Sequence, residues 1–415
     1  MSPVDALVVG AGPAGSTVAR ELAAGGHRVL MLEEHPKVGE PVQCAGLVSQ
    51  RVLDLAGPGG FVRRPVRGAA VVGPSGREFR FRADGARAFV IDRAGLDVHL
   101  ADRAARAGAD VRTSTRFDGI VERSASGITV RVTGPDRRPE EITARLLVGA
   151  DGVGSAVARA ARLRRPVEIL PAFEAEFPAS DGDPELVEVY LGRRFAPGLF
   201  GWWIPDGEGG ARVGVAADAD GTSARAYFDR LLEFLRPRFG RPLVSPTAFL
   251  ASGIPIGTVP RISGERVLLV GDAAAQVKPL SGGGIFTGMR AGILAASVAG
   301  PALAADDLTA RRLGAYDVRW RDEFGDEFRR ALYLRRLFAR LSDAELDAVV
   351  DALARGALGR TVVAFGDIDF PTPVVRELLR ESPLLVRLLP KALGAWVASG
   401  RAYAVPAVEP GPRRQ

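Results

Sequence analysis

The 415-residue chain carries Gly10-Ala-Gly12-Pro13-Ala14-Gly15 close to its start. Glycines at these three places let a chain turn tightly, bring its backbone up to a pyrophosphate, and seat a helix against a sheet. The apolar run 4–9 before it reads as a buried strand. Residues 13–25 read as a helix with Val18, Ala19 and Leu22 on one face, and Gly25-Gly26 stops it. A second strand over 28–32 ends at Glu33-Glu34. This is a β-α-β unit whose helix N-terminus faces an anion. Glu33 is placed to accept hydrogen bonds from an adenosine ribose, and its carboxylate disfavours a 2′-phosphate. The unit predicts an adenine dinucleotide other than NADP.

Later segments extend this site. Arg93 follows a strand and opens a helix, putting a cation where pyrophosphate or ribityl oxygens would lie. Asp151-Gly152-x-Gly154-Ser155 is a turn at a strand end. Gly271-Asp272 ends an apolar strand, and its carboxylate can take ribityl hydroxyls. Pro279-Leu-Ser-Gly282-Gly283-Gly284-Ile285 then opens a long helix, about 284–298, and presents backbone N–H groups to negative charge on a reduced flavin. A simple NAD dehydrogenase has no need of this second site, so the expected cofactor is FAD.

Two further stretches bear on the reaction. Cys44, the only cysteine, sits beside Ala45 in a Gly/Pro-rich loop. A thiol there can donate a proton or gate the flavin, or simply pack as a small apolar group. Phe200-Gly-Trp202-Trp203-Ile204-Pro205 reads as a strand. Its adjacent tryptophans face opposite sides, so one can line a site while the other packs the core, unless both serve packing alone. The three histidines, His27, His35 and His99, form no metal-ligand cluster, and no metal is expected.

The elements that must hold these residues follow from composition and pattern. Nearly half the residues are apolar, and the length suits two domains or one large and one accessory domain. The expected architecture is α/β. A Rossmann-like dinucleotide domain spans 1–165 plus 261–300, with an inserted β segment. A β-sheet substrate-binding domain spans 166–260, and a helical C-terminal region spans 301–415. Hairpin patterns occur at 69–73 and 77–82, and a β-meander runs through 110–148. A last apolar helix is expected near 383–398, over a tunnel mouth, on a membrane surface or in the core. The net charge of +6 comes almost wholly from arginine, since Lys37, Lys278 and Lys391 are the only lysines. No basic run is interleaved with stacking aromatics, so nucleic acid is not an expected partner. One cysteine, no leader before the first strand and no long uncharged apolar run suggest a cytoplasmic protein with peripheral membrane contact left open.

With these residues in view, the chain resembles the geranylgeranyl reductase family, a branch of the FAD-dependent aromatic hydroxylase superfamily. The carrying pieces are the Gly10–Gly15 motif; Gly39-Glu-Pro-Val-Gln-Cys44-Ala45-Gly46; Asp92-Arg93-x-x-Leu-Asp97; Asp151-Gly152-x-Gly-Ser155; Phe200-Gly-Trp202-Trp-Ile204-Pro205; and Gly271-Asp272 through Ile285. They span about residues 1–300. The resemblance implies saturation of isolated C=C bonds in a polyprenyl chain on a lipid, quinone or chlorophyll-type molecule. Hydride would come from flavin N5, coupled to protonation. It implies that Gly10, Gly12, Pro13, Ala14, Gly15, Glu33 and Glu34 hold the ADP half of FAD. Cys44, Ala45, Arg93, Asp151, Gly152, Gly271, Asp272, Pro279, Gly282, Gly283, Gly284 and Ile285 would surround the rest. Phe200, Trp202 and Ile204 would line the substrate tunnel; relatives more often carry a tyrosine where Phe200 stands, so a hydroxyl is missing there. The electron donor would be NAD(P)H or a ferredoxin partner.

An isolated alkene has no carbonyl to polarise it, so its transition state carries some cationic character. Aromatic walls stabilise such charge and exclude water. Two other flavin chemistries fit the same fold. An aromatic hydroxylase or epoxidase would activate O2. A halogenase would need a lysine between flavin and substrate, and none occurs between Lys37 and Lys278.

Overall fold

The computed structural model describes residues 4–163, 168–178, 182–238, 245–355 and 357–381. The strand Val4–Val9 pairs in parallel with Val29–Leu32 on one side and with Pro139–Gly149 on the other. The latter pairs in turn with Val267–Leu269. Val29–Leu32 is buried at every position, as expected of a parallel strand covered on both faces. The helix Pro13–Ala24 starts with proline at its first turn, where the missing N–H costs nothing, and buries Val18, Ala19 and Leu22 on this sheet. The meander adds Arg116–Arg123 and Ile128–Thr133 as antiparallel strands, and Asp110–Arg112 and Ser263–Gly264 at the edges bring the sheet to eight.

A second sheet of seven strands runs in the order Ala248–Ile256, Glu168–Phe177, Ala211–Ala216, Phe200–Pro205, Leu186–Tyr190, Gly68–Val72, Glu78–Arg82. The hairpin read at 69–82 therefore belongs to this sheet. It is joined through the parallel pair Gly68–Val72 with Leu186–Tyr190. One face of the sheet is closed by the helix Ala224–Leu235, which packs with Phe177, Trp203 and Val213. Trp203 is 1% exposed, and burying so large an apolar group stabilises the fold by roughly 2–3 kcal/mol.

The described residues beyond the helix Ile285–Ala304 form the helices Ala310–Leu313, Ala315–Phe338, Asp343–Ala354, Ala357–Phe365 and Thr372–Glu381. Leu332, Phe338, Leu346 and Val350 from these helices pack on the other face of the seven-stranded sheet. Ile285–Ala304 is long and apolar enough to cross a membrane by length and composition, and 67% of its most apolar stretch is buried within the fold. The apolar segment near 383–398 lies outside the described residues.

Candidate flavin and substrate site

Parallel pairing brings three strand ends to one edge: Gly10, Ala150-Asp151 and Gly271-Asp272. Gly10 has φ +103°, and a Cβ there would lie 2.4 Å from the Ala150 carbonyl oxygen. A Cβ on Gly15 would lie 2.0 Å from the Gly10 carbonyl oxygen. These two glycines serve internal packing. Gly12 differs, because a Cβ there meets nothing within 4 Å. It opens outward at a helix start that has no side-chain cap. Gly152 and Gly154 open outward too.

The second glycine-rich loop reaches the first by helix packing. A Cβ on Gly292 would stand 2.9 Å from the Ala14 carbonyl oxygen, and one on Gly271 would stand 3.0 Å from the Ala14 Cβ. Small residues thus let the helix Ile285–Ala304 lie against Pro13–Ala24, with Gly284 at its uncapped start. Residues more than 250 positions apart in sequence become neighbours.

Glu33 is held in place. Its Oε2 accepts from the Ala11 N–H at 3.2 Å, and its Oε1 accepts from the His35 N–H at 3.0 Å. Glu34 beside it is exposed. Both Asp151 oxygens are engaged within their own turn, by the Ser155 hydroxyl at 2.7 Å and the Val157 N–H at 3.0 Å. Asp151 therefore shapes the loop, and Gly152 opens outward. Asp272 has no hydrogen-bond partner for its carboxylate among the described residues. Loss of water pushes its carboxyl up to about 6, against the pull of Arg93.

Arg93 opens the helix Arg93–Arg106, whose N-terminus is capped by Asp92 through the Gly95 N–H at 3.0 Å. Its guanidinium contacts Asp97 one turn on and lies beside Cys44. Burial opposes its charge, but Asp97 and Cys44 hold it protonated. Burial also raises the Asp97 carboxyl. Arg93 Nε and Asp97 Oδ1 are buried without hydrogen-bond partners, and Ser281 Oγ in the second glycine loop is likewise unpartnered. Outward-facing glycine backbone, an unpaired carboxylate, a buried cation and an uncapped helix start form a cradle that fits the pyrophosphate, ribityl and ring portions of FAD.

The loop Cys44–Gly46 is pinned from both sides. Cys44 Sγ accepts from the Gly46 N–H at 3.4 Å, and Arg212 Nη1 donates to the Ala45 carbonyl at 2.9 Å. Ala45 and Leu47 pack with Trp202 and Ile204. Phe200, Trp202 and Ile204 share the sheet face away from the helix Ala224–Leu235. Phe200 and Trp202 meet edge to face at 6.4 Å, together with Val277 and Ile254. The alternation expected of the two tryptophans is what the strand shows: Trp203 packs the core and Trp202 the other face.

Glu174 joins this wall although it is not among the site residues expected from the sequence. Trp202 Nε1 donates to its Oε2 at 2.6 Å, and the side chain is almost fully buried. Burial pushes its carboxyl up to about 7, offset in part by the Trp202 hydrogen bond and the Arg212 charge, while Glu176 adds to the rise. The signal available was an acid in an otherwise apolar alternation, Ala172-Phe-Glu174-Ala-Glu176-Phe, with Arg212 on the partner strand. Among the described residues no group of three His, Cys, Asp or Glu side chains is arranged to hold a metal.

The family described as FAD binding domain matches residues 3–300. The chain is 35% identical over 395 residues to digeranylgeranylglycerophospholipid reductase 2 of Methanothermobacter thermautotrophicus, covering 93% of this chain and 98% of that protein. The crystal structure of a geranylgeranyl bacteriochlorophyll reductase-like protein from Thermoplasma acidophilum superimposes with a TM-score of 0.82 at 27% identity, over 94% of this chain and 99% of that one. A myxobacterial chondrochloren halogenase shares the fold alone, with a TM-score of 0.67 at 19% identity over 95% of this chain and 98% of its own. The chain belongs to the geranylgeranyl reductase family of FAD-dependent oxidoreductases.

Proposed function

We propose that this enzyme saturates isolated C=C bonds in the polyprenyl chains of a lipid. The observation that carries this reading is the apposition of the Cys44 loop to Trp202 and Ile204. The FAD cradle gives way at that point to an apolar, aromatic wall. Likeness along nearly the whole chain to a reductase named for a digeranylgeranyl glycerophospholipid supports the substrate class.

Bound FAD, once reduced by NAD(P)H or a ferredoxin, supplies the hydride. The protein does the rest. Glu33 and the Gly12 backbone hold the ADP half, and Arg93 and Asp272 hold the flavin half. Phe200, Trp202 and Ile204 bind the apolar chain, exclude water, and offer ring faces to positive charge developing on the alkene. Cys44, beside the Arg93 guanidinium, sets the reacting end of the pocket.

The test offers the reduced enzyme a geranylgeranyl ether lipid, a prenyl quinone and a geranylgeranylated chlorophyll precursor, and reads each product by mass. The reading expects the glycerophospholipid to gain two hydrogens per double bond. It also expects Cys44→Ala to keep FAD bound while product forms more slowly. Failure to hydrogenate the lipid would contradict it.

A further inference from the structure

The seven-stranded sheet carries a polar group on a face that otherwise serves an apolar chain. Glu174, Gly214 and Trp202 fall in one cross-strand row, because Glu174 pairs with Gly214 and Gly214 pairs with Trp202. Residues in such a row point to one side of the sheet. Glycine in the middle is what permits the contact: a Cβ at Gly214 would lie 2.3 Å from the Trp202 Cζ2. The indole lies across the vacant position and reaches Glu174 two strands away, at 2.6 Å.

Three features distinguish this carboxyl from a surface acid. It is 4% exposed. One oxygen is fixed by the Trp202 N–H, which leaves the other to carry the proton. Its wall packs against the loop that bears Cys44, through Ala45 and Leu47. The charged groups facing it are Arg212 on the neighbouring strand and Glu176 two residues along its own strand, and these two pair at 3.3 Å. Arg212 also donates to Ala45 and Ile91, so it ties this wall to the cofactor domain.

We propose that Glu174, presented by Trp202, is the proton donor for alkene saturation, a role that rests on the reductase reading above. The π bond is consumed. One carbon takes the hydride from reduced FAD and the other takes the proton from the Glu174 carboxyl, which is left as a carboxylate. The Trp202 N–H and the Arg212 charge stabilise that anion, and water reprotonates it after product leaves. An acid kept neutral near neutral pH by burial suits this task.

The test compares wild type with Glu174→Gln, which keeps an acceptor for the Trp202 N–H, and with Trp202→Phe. Infrared titration of the purified holoenzymes, without substrate, should show a buried carboxylic-acid band in wild type that disappears through pH of about 7. Glu174→Gln should lack that band. Trp202→Phe removes a bond that favours the carboxylate, so its band should persist to higher pH. Turnover should fall about 100-fold in Glu174→Gln with FAD retained. The wild-type decline in rate through pH about 7 should disappear. A Glu174→Gln enzyme with wild-type turnover and pH profile overturns the donor role alone. A band titrating through pH of about 7 that is undiminished in Glu174→Gln overturns it as well. A wild-type enzyme that saturates no prenyl substrate overturns the reductase reading, and the donor role with it.

Discussion

Lys278 and Asp369 form an ion pair at 2.7 Å with side chains only 8% and 1% exposed. Lys278 precedes the second glycine-rich loop, and Asp369 lies in the C-terminal helical region. The same amine donates to the Ile368 carbonyl at 3.0 Å, and Arg51 reaches both Asp367 and Asp369. The pair fastens the helical cover to the loop proposed to face the flavin ring. Removing one partner of a buried pair strands the other charge. Asp369→Ala should lower stability by about 3 kcal/mol in urea unfolding. Lys278→Met should cost less, because Asp369 keeps Arg51.

Gly12 and Gly15 make opposite demands. A methyl at Gly12 meets only open space, whereas one at Gly15 strikes the Gly10 carbonyl. Gly12→Ala should fold with unchanged circular dichroism and melting temperature as apoprotein, yet bind FAD weakly. Gly15→Ala should lose stability and FAD together. Equal apoprotein melting of the two variants would remove the distinction.

Asp272 should exchange stability for cofactor affinity. Its carboxyl sits at about 6 in the fold against 3.8 in the open chain. A raised acid pKa contributes stability below the open-chain value and loses it as pH rises through the folded value. Apo Asp272→Asn should therefore match wild type near pH 4 and exceed it above pH 7, by roughly 2–3 kcal/mol at most. Its FAD affinity should drop about tenfold or more, because a charged acceptor is lost. Calorimetry of the apoprotein across pH, with flavin titration, measures both.

Gly214→Ala tests the path of the indole. The added methyl strikes the indole and displaces Trp202 from Glu174 while both residues keep their identity. Tryptophan fluorescence should shift, and turnover should fall while FAD remains bound. An unchanged emission spectrum would mean that the indole does not lie across Gly214.

The cofactor half of the site was legible because its chemistry is local. Glycine spacing, a strand before it and an acid after the next strand report on one short β-α-β unit. The opposite facing of Trp202 and Trp203 followed from strand alternation alone. Partners were not legible where contact depends on register between distant strands. The pattern at 69–82 announces a hairpin, but nothing local says that Gly68–Val72 pairs with Leu186–Tyr190. Glu174 looks like an ordinary strand acid until three strands are aligned and Gly214 is seen to leave room for the indole. Asp151 shows the converse. It reads as a ligand contact, and the structure engages both of its oxygens within its own turn.

This FAD cradle and aromatic wall are proposed to serve hydrogenation rather than oxygen insertion. The direct measurement incubates chemically reduced holoenzyme with a geranylgeranyl glycerophospholipid, once without oxygen and once with it, and weighs the product. Two added hydrogens per double bond are expected in the anaerobic sample. A product that forms only when oxygen is admitted, and that carries an added oxygen atom, would contradict it.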